Sequence, residues 1–147
     1  MIKRTSIAAV LIFVFIFSGC ASVPLAPVGM DTSAKTFSKP TENKAGLYVY
    51  RDSFVGKALK KTVYLDGAVI GETANKTFFY REILPGSHTL STESEFSENS
   101  ITFQAEKEKN YFARQYIRMG VFVGGASIKM VSEEEGMKGV LGCHLAK

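Results

Sequence analysis

The segment Thr62-Val63-Tyr64-Leu65-Asp66-Gly67-Ala68-Val69-Ile70-Gly71 constrains the fold of this chain more than any other. Asp-Gly is a preferred centre for a two-residue type I′ turn, because both central positions need φ > 0. A turn at Asp66-Gly67 sets Leu65 opposite Ala68, Tyr64 opposite Val69 and Val63 opposite Ile70. In that register Val63, Leu65, Ala68 and Ile70 gather on one face, and a slip of one residue scatters them. Turn chemistry and apolar pattern therefore agree on a hairpin.

Further strand signals follow the same logic. Gly46–Tyr50 is β-branched and aromatic, with Leu47 and Val49 on one face and Tyr48 and Tyr50 on the other. Arg51-Asp52-Ser53 closes that run, and Phe54–Lys60 reads as a loop. Thr77–Tyr80, His88–Thr92, Ile101–Ala105, Tyr111–Arg118 and a last stretch holding Ile128 and Met130 read as strands. Leu84-Pro85-Gly86-Ser87 suits a type II turn, with Pro second and Gly third. Short strands at this spacing predict an all-β fold, a small antiparallel β-sandwich. A short C-terminal helix is expected after it. Ser132 and Glu135 form a capping box, and Met137, Val140, Leu141 and Leu145 follow helical spacing. Gly136, Gly139 and Gly142 oppose that helix at about 1 kcal/mol each. It forms only if its apolar face docks on the sheet.

The chain opens differently. Lys3 and Arg4 precede an apolar run of 11 residues, Ile7–Phe17, closed by Ser18-Gly19-Cys20. A spanning helix needs about 20 apolar residues, whereas a signal h-region needs roughly 7–15. The segment resembles the signal peptide and lipobox of a bacterial lipoprotein. That resemblance implies cleavage between Gly19 and Cys20, acylation of the Cys20 sulfur and removal of residues 1–19. An ordinary secretory signal followed by a chance cysteine is the alternative. Two or more acyl chains give stable anchoring where one is marginal. Ala21, where an Asp would favour inner-membrane retention in lipoproteins of enteric type, points to the outer membrane facing the periplasm.

Cleavage leaves 128 residues, a single-domain length. The formal charge drops from +4 to +2 because Lys3 and Arg4 leave with the signal, too small a charge to argue for nucleic acid. The chain has two cysteines. If Cys20 is acylated, Cys143 has no partner in the chain; if it is not, a Cys20–Cys143 bridge becomes possible. Residues 20–44 carry Pro24, Pro27 and Pro40 among Ser and Thr, and are expected to be a lipidated tether, extended or disordered. Residues 45–147 hold the β-sandwich and the C-terminal helix.

The run Val63-Tyr64-Leu65-Asp66-Gly67, then Ile70-Gly71, then Leu84-Pro85-Gly86-Ser87-His88-Thr89-Leu90, resembles the PEGA-like pattern. With Ala45-Gly46-Leu47-Tyr48-Val49-Tyr50-Arg51 ahead of it, the order also resembles the bacterial lipoprotein family known as domain of unknown function 2846. The resemblance spans about Ala45–Met130 and implies an all-β envelope domain. It supplies no catalytic residues.

Residue chemistry gives little else. Cys143-His144 is the only thiol–imidazole neighbour pair, yet on a helix adjacent side chains diverge by about 100°. On that helix His144 would lie near the stripe of Met137 and Leu141. His88 with Asp52 and nearby serines suggests a triad only on paper, since no G-x-S-x-G elbow is present. Two histidines and one free cysteine, far apart in sequence, make a weak metal case, and no metal is expected. Phe112, Arg114, Tyr116 and Arg118 share one strand face and form a candidate binding surface for anionic glycan, lipid headgroups or nucleic acid. The same pattern also fits a solvated sheet face with cross-strand Tyr–Arg packing.

The expected function is therefore a non-enzymatic, membrane-anchored lipoprotein that presents a small binding or scaffolding domain. It needs no cofactor beyond covalent lipid on Cys20. The expected partners are the bilayer, through acyl chains, and envelope proteins or cell-wall glycan, with no nucleic acid. The alternative is a carbohydrate- or peptidoglycan-binding module using the Tyr111–Arg118 face. A weaker third reading is an enzyme relying on Cys143.

Overall fold

The computed structural model describes residues 19–94, 99–119 and 124–147. Lys3, Arg4, the Ile7–Phe17 run and Ser18 lie outside the described residues. The strands are β1 (Ala45–Arg51), β2 (Lys61–Leu65), β3 (Ala68–Thr73), β4 (Thr77–Ile83), β5 (Gly86–Thr92), β6 (Asn99–Ala105), β7 (Asn110–Arg118), β8 (Gly125–Val131) and β9 (His144–Leu145). Two helices flank them, α1 (Val28–Ala34) and α2 (Glu133–Leu141).

The β2–β3 hairpin turns at Asp66 (φ 51°) and Gly67 (φ 80°), the left-handed pair a type I′ turn needs. Leu65 faces Ala68 and Tyr64 faces Val69, as the sequence predicts. Beyond them the register shifts, and Val63 faces Gly71 instead of Ile70. Ile70 is the extra residue of a β-bulge. Gly71, at the bulge, lies against β4, whose Phe79 ring comes within 2.7 Å of where a Cβ would sit. The bulge keeps Ile70 against the core beside Val63 and Leu65, while Ala68 is left exposed.

The strands form two sheets, β8-β7-β1-β4-β9 and β3-β2-β5-β6. Most pairs are antiparallel, but β1–β7 and β4–β9 are parallel, so the five-stranded sheet is mixed. Leu84-Pro85 does not close a hairpin. It carries the chain from β4 in one sheet to β5 in the other, and Gly86 (φ 135°) already pairs with Ala105. Leu47 and Val49 point between the sheets, where Val63, Leu90, Phe103, Ala113 and Ile128 meet them. Burying side chains such as Leu90 and Val63 completely is worth roughly 1.5–3 kcal/mol each.

β1 is buried on both faces, because Tyr48 and Tyr50 on its other side are also covered. Part of that cover is α2. Ser132 caps it by accepting a hydrogen bond from the Glu135 amide at 3.2 Å. The glycines that oppose a helix in isolation allow this one to dock. A Cβ on Gly136 would come within 2.2 Å of Phe112 Cβ, and one on Gly139 within 2.1 Å of the Tyr50 ring. Val140 is buried and Met137 half-buried, but Leu141 is exposed and Leu145 lies beyond the helix. The chain leaves the helix at Gly142 and adds β9 to the sheet edge, which delivers Leu145 to the core opposite Phe78.

The rest of the cover comes from the segment expected to stay extended. From Leu25 onward, residues 20–44 are folded onto the sheet. Leu25 bridges Ala146, and the Ala26 amide donates to the Leu145 carbonyl at 2.8 Å. Asp31 of α1 accepts the Leu145 amide at 2.6 Å, and Tyr48 Oη donates to the Ala34 carbonyl at 2.9 Å. Phe37 packs its ring 5.5 Å from Tyr48 and 5.9 Å from Phe112. Composition marks this stretch as unable to form its own core. It orders because the outer aromatic face of β1 and β7 supplies one.

Candidate functional site

A concave part of the surface lies where α1 rests on the sheet. A groove of about 730 Å³ is lined by Ala26, Met30, Ala34, Tyr48, Tyr80 and Arg81, among others. Its floor is aromatic, with the Tyr48 and Tyr80 ring centroids 4.6 Å apart. Lys39, Arg81 and Lys147 supply cations along the lining. Burial raises the pKa of both phenols, so Tyr48 and Tyr80 remain neutral hydrogen-bonding groups at physiological pH. Such a surface can hold an apolar or aromatic body non-covalently. No nucleophile with an adjacent base lines it.

A second, smaller hollow of about 230 Å³ sits between β1, β7 and α2, lined by Tyr50, Asp52, Arg114, Glu135 and Lys138. Both of its carboxylates are engaged. Arg114 Nε donates to Asp52 Oδ1 at 2.8 Å, and Glu135 lies 4.0 Å from Arg114 and 3.7 Å from Lys129. Partial burial works against the Arg114 charge, but Asp52 outweighs it and holds the guanidinium above its ordinary pKa. Burial, with Asp52 and Glu135 adding to it, pushes the Tyr50 phenol up to about 12.

The candidate face on β7 is divided by this arrangement. Phe112 is 1% exposed, stacked on Tyr48 at 4.9 Å and roofed by Gly136, so it meets no ligand. Arg114 is committed to Asp52. Tyr116 and Arg118 alone of the four remain at the open end, the guanidinium 5.6 Å over the Tyr116 ring and donating to its hydroxyl at 3.2 Å. The parity expected from the sequence is right; α2 covers half of the face it defines.

The thiols and imidazoles are also separated. Cys20 is exposed, whereas Cys143 is buried with its Sγ 3.7 Å from the Arg51 carbonyl oxygen, and the two are not bonded. Burial pushes the Cys143 thiol up to about 12. His144 is not on the helix near Met137 and Leu141. It is an exposed β9 residue paired with Thr77, and strand alternation turns it away from Cys143. His88 meets Asp66 at 2.6 Å through Nδ1 and the Leu84 carbonyl oxygen at 2.7 Å through Nε2. Asp52 is engaged elsewhere, so no Ser-His-Asp relay forms around His88. Among the described residues no group of three or more His, Cys, Asp or Glu is placed to hold a metal ion.

One functional-looking residue is not singled out by sequence reasoning. Arg51 is 0% exposed and has no carboxylate partner among the described residues. Its Nη1 donates to the Leu59 carbonyl at 2.8 Å and its Nη2 to the Gly56 carbonyl at 2.5 Å, which clamps the β1–β2 loop from inside. Nearby, Gln115 crosses between the sheets, paired with Thr73 and donating to Thr92 at 2.6 Å. A signal existed in the sequence: Arg51 shares strand parity with Leu47 and Val49, the inward face.

Together these features define a β-sandwich with one outer face closed by helical segments and with a clamped loop at one end. The chain belongs to the family described as "Protein of unknown function (DUF2846)", whose model matches residues 41–126. An uncharacterized protein of Haemophilus influenzae (strain ATCC 51907 / DSM 11121 / KW20 / Rd) is 49% identical over 146 residues, covering 99% of this chain and 85% of that protein. No solved structure matches.

Proposed function

We propose that this protein is a non-enzymatic lipoprotein, anchored through acyl chains on Cys20, which presents its β-sandwich as a binding or scaffolding domain in the bacterial periplasm. The observation that carries the reading is Ser18-Gly19-Cys20 closing an 11-residue apolar run behind Lys3 and Arg4. Thiol chemistry supports it, since Cys20 is exposed and Cys143 is buried, leaving Cys20 as the sulfur open to modification. Ala21 directs the anchor to the outer membrane. The experiment is metabolic labelling with a palmitate analogue followed by membrane fractionation. Cys20→Ser is expected to abolish label and release the protein; unchanged label and fractionation refute the anchor.

A second reading, binding of cell-wall glycan, rests on the exposed Arg118 guanidinium stacked on the half-buried Tyr116 ring. An aromatic ring backed by a guanidinium suits a sugar face bearing anionic groups. Pull-down on isolated sacculi tests it. Retention that falls with Arg118→Ala supports the reading, and wild-type protein left in the supernatant removes it.

A further inference from the structure

We propose that the β1–β2 loop is a membrane-docking surface, with Phe54 and Val55 seated in the headgroup–acyl boundary and Lys57 and Lys60 meeting anionic phospholipid. This rests on the acylation of Cys20 proposed above. Three independent observations converge on the loop.

The first is position. The Ala21 amide donates to the Lys57 carbonyl at 3.1 Å, so the residue next to Cys20 is fastened to this loop. One residue spans at most about 3.6 Å, so acyl chains on Cys20 leave the protein beside the loop and hold it at the bilayer. Only residues 21–24 separate Cys20 from Leu25, where the chain is already docked on the sheet. The domain therefore has little room to stand away from the membrane.

The second is surface chemistry. Phe54 is 73% exposed and Val55 47% exposed on neighbouring positions. Lys57 Nζ sits 4.9 Å over the Phe54 ring, and neither Lys57 nor Lys60 makes a salt bridge among the described residues. Apolar side chains flanked by lysines match an interface in which rings enter and ammonium groups stay with phosphates. Met119, 83% exposed, follows Arg118 at the end of β7, the strand whose Ile117 packs against Gly56 of the loop.

The third is rigidity. The Arg51 guanidinium holds the Gly56 and Leu59 carbonyls from inside, and Gly56 (φ 71°) packs so closely on Ile117 that a Cβ would approach it to 2.8 Å. The exposed pair is thus presented in a fixed shape, which lowers the ordering cost of docking.

The chain has no tryptophan, so a single introduced indole reports its own surroundings. Full-length Phe54→Trp, matured in cells, purified from membranes and reconstituted into phosphatidylethanolamine/phosphatidylglycerol vesicles containing brominated lipid, is compared with Val69→Trp. Val69 is 64% exposed on the β2–β3 hairpin, beyond the opposite end of β2 from the loop. Bromolipid is expected to quench the fluorescence of Phe54→Trp by roughly half or more, the depth of an interfacial side chain, and to leave that of Val69→Trp nearly unchanged. Intact mass of the same samples reports the state of Cys20. Acylated protein whose two reporters are equally quenched, or equally unquenched, overturns the docking surface and leaves the anchor standing. A bare Cys20 thiol overturns the anchor and this proposal with it.

Discussion

The His88 imidazole Nδ1 lies 2.6 Å from the Asp66 carboxylate, while Nε2 lies 2.7 Å from the Leu84 carbonyl oxygen. With acceptors at both nitrogens, the ring satisfies both contacts only as the imidazolium. The pair joins the β2–β3 turn to the connection that crosses between the sheets. Partial burial opposes the charge, yet Asp66 and Leu84 outweigh it and raise the His88 pKa above 6.5. Asp66 moves the other way: the Thr89 amide first, then His88, hold its carboxyl below 3.8. A raised histidine contributes fully below its unfolded pKa and loses its contribution as pH rises through the folded value. A depressed aspartate contributes above its unfolded pKa and loses its contribution as pH falls through the folded value. The latch is therefore strongest between about pH 4 and pH 6.5. His88→Gln is expected to lower stability there by about 0.5–1 kcal/mol, a range set by the water around Asp66. Urea unfolding across pH checks this, and a wild-type-to-mutant difference that grows above pH 7 contradicts it.

Gly136→Ala tests the seat of α2. A helix favours Ala by up to about 1 kcal/mol, but the new methyl falls on Phe112 Cβ and Cγ at 2.2 Å, and Phe112 is fully enclosed. The overpacking wins, with a net loss of about 2 kcal/mol in thermal unfolding. At Gly142→Ala the nearest atom stands 3.6 Å away, so that variant is expected near wild type. Equal melting temperatures for the two would remove the close-packing explanation.

Arg51→Met removes the guanidinium donor from the Leu59 carbonyl and leaves the Gly56 carbonyl only the Leu59 amide. Stability is expected to fall by about 1–3 kcal/mol, with amide exchange accelerated in residues 53–60 before the sheets. Arg51→Lys is expected to restore little, because one ammonium does not reproduce a two-pronged fork. Unaltered exchange in the loop would show that the clamp is dispensable.

Cys143 is expected to resist alkylation. With its thiol pushed up to about 12 by burial, roughly one molecule in ten thousand carries a thiolate at pH 8. Iodoacetamide should modify Cys143 only after unfolding. Rapid labelling of the native protein at this residue would show an opening that the packed outer layer does not predict.

Phe37→Ala probes whether the segment before β1 is structural. Its ring closes the aromatic cluster of Tyr48 and Phe112, so truncation is expected to cost about 1–3 kcal/mol and to expose residues 25–37 to protease. A merely tethering segment would lose nothing.

Local chemistry made much of the fold legible. Asp66-Gly67 announced its turn, strand parity put Leu47 and Val49 inward, and Ser132 with Glu135 announced α2. Each of those signals acts within a few residues, where turn geometry, side-chain alternation and capping are decided. Sequence also supplied the cysteine and apolar run on which the proposed anchor rests. Only the tertiary structure decided what covers the outer face of β1. Whether 25–37 is tether or cladding depends on an aromatic surface assembled from β1, β4 and β7, which are distant in the chain. The same holds for the close approach of Phe79 to Gly71 beside the bulge at Ile70, and for the division of the Phe112–Arg118 face, set by α2. Packing between remote segments has no local signature, because its energy exists only after both surfaces have formed.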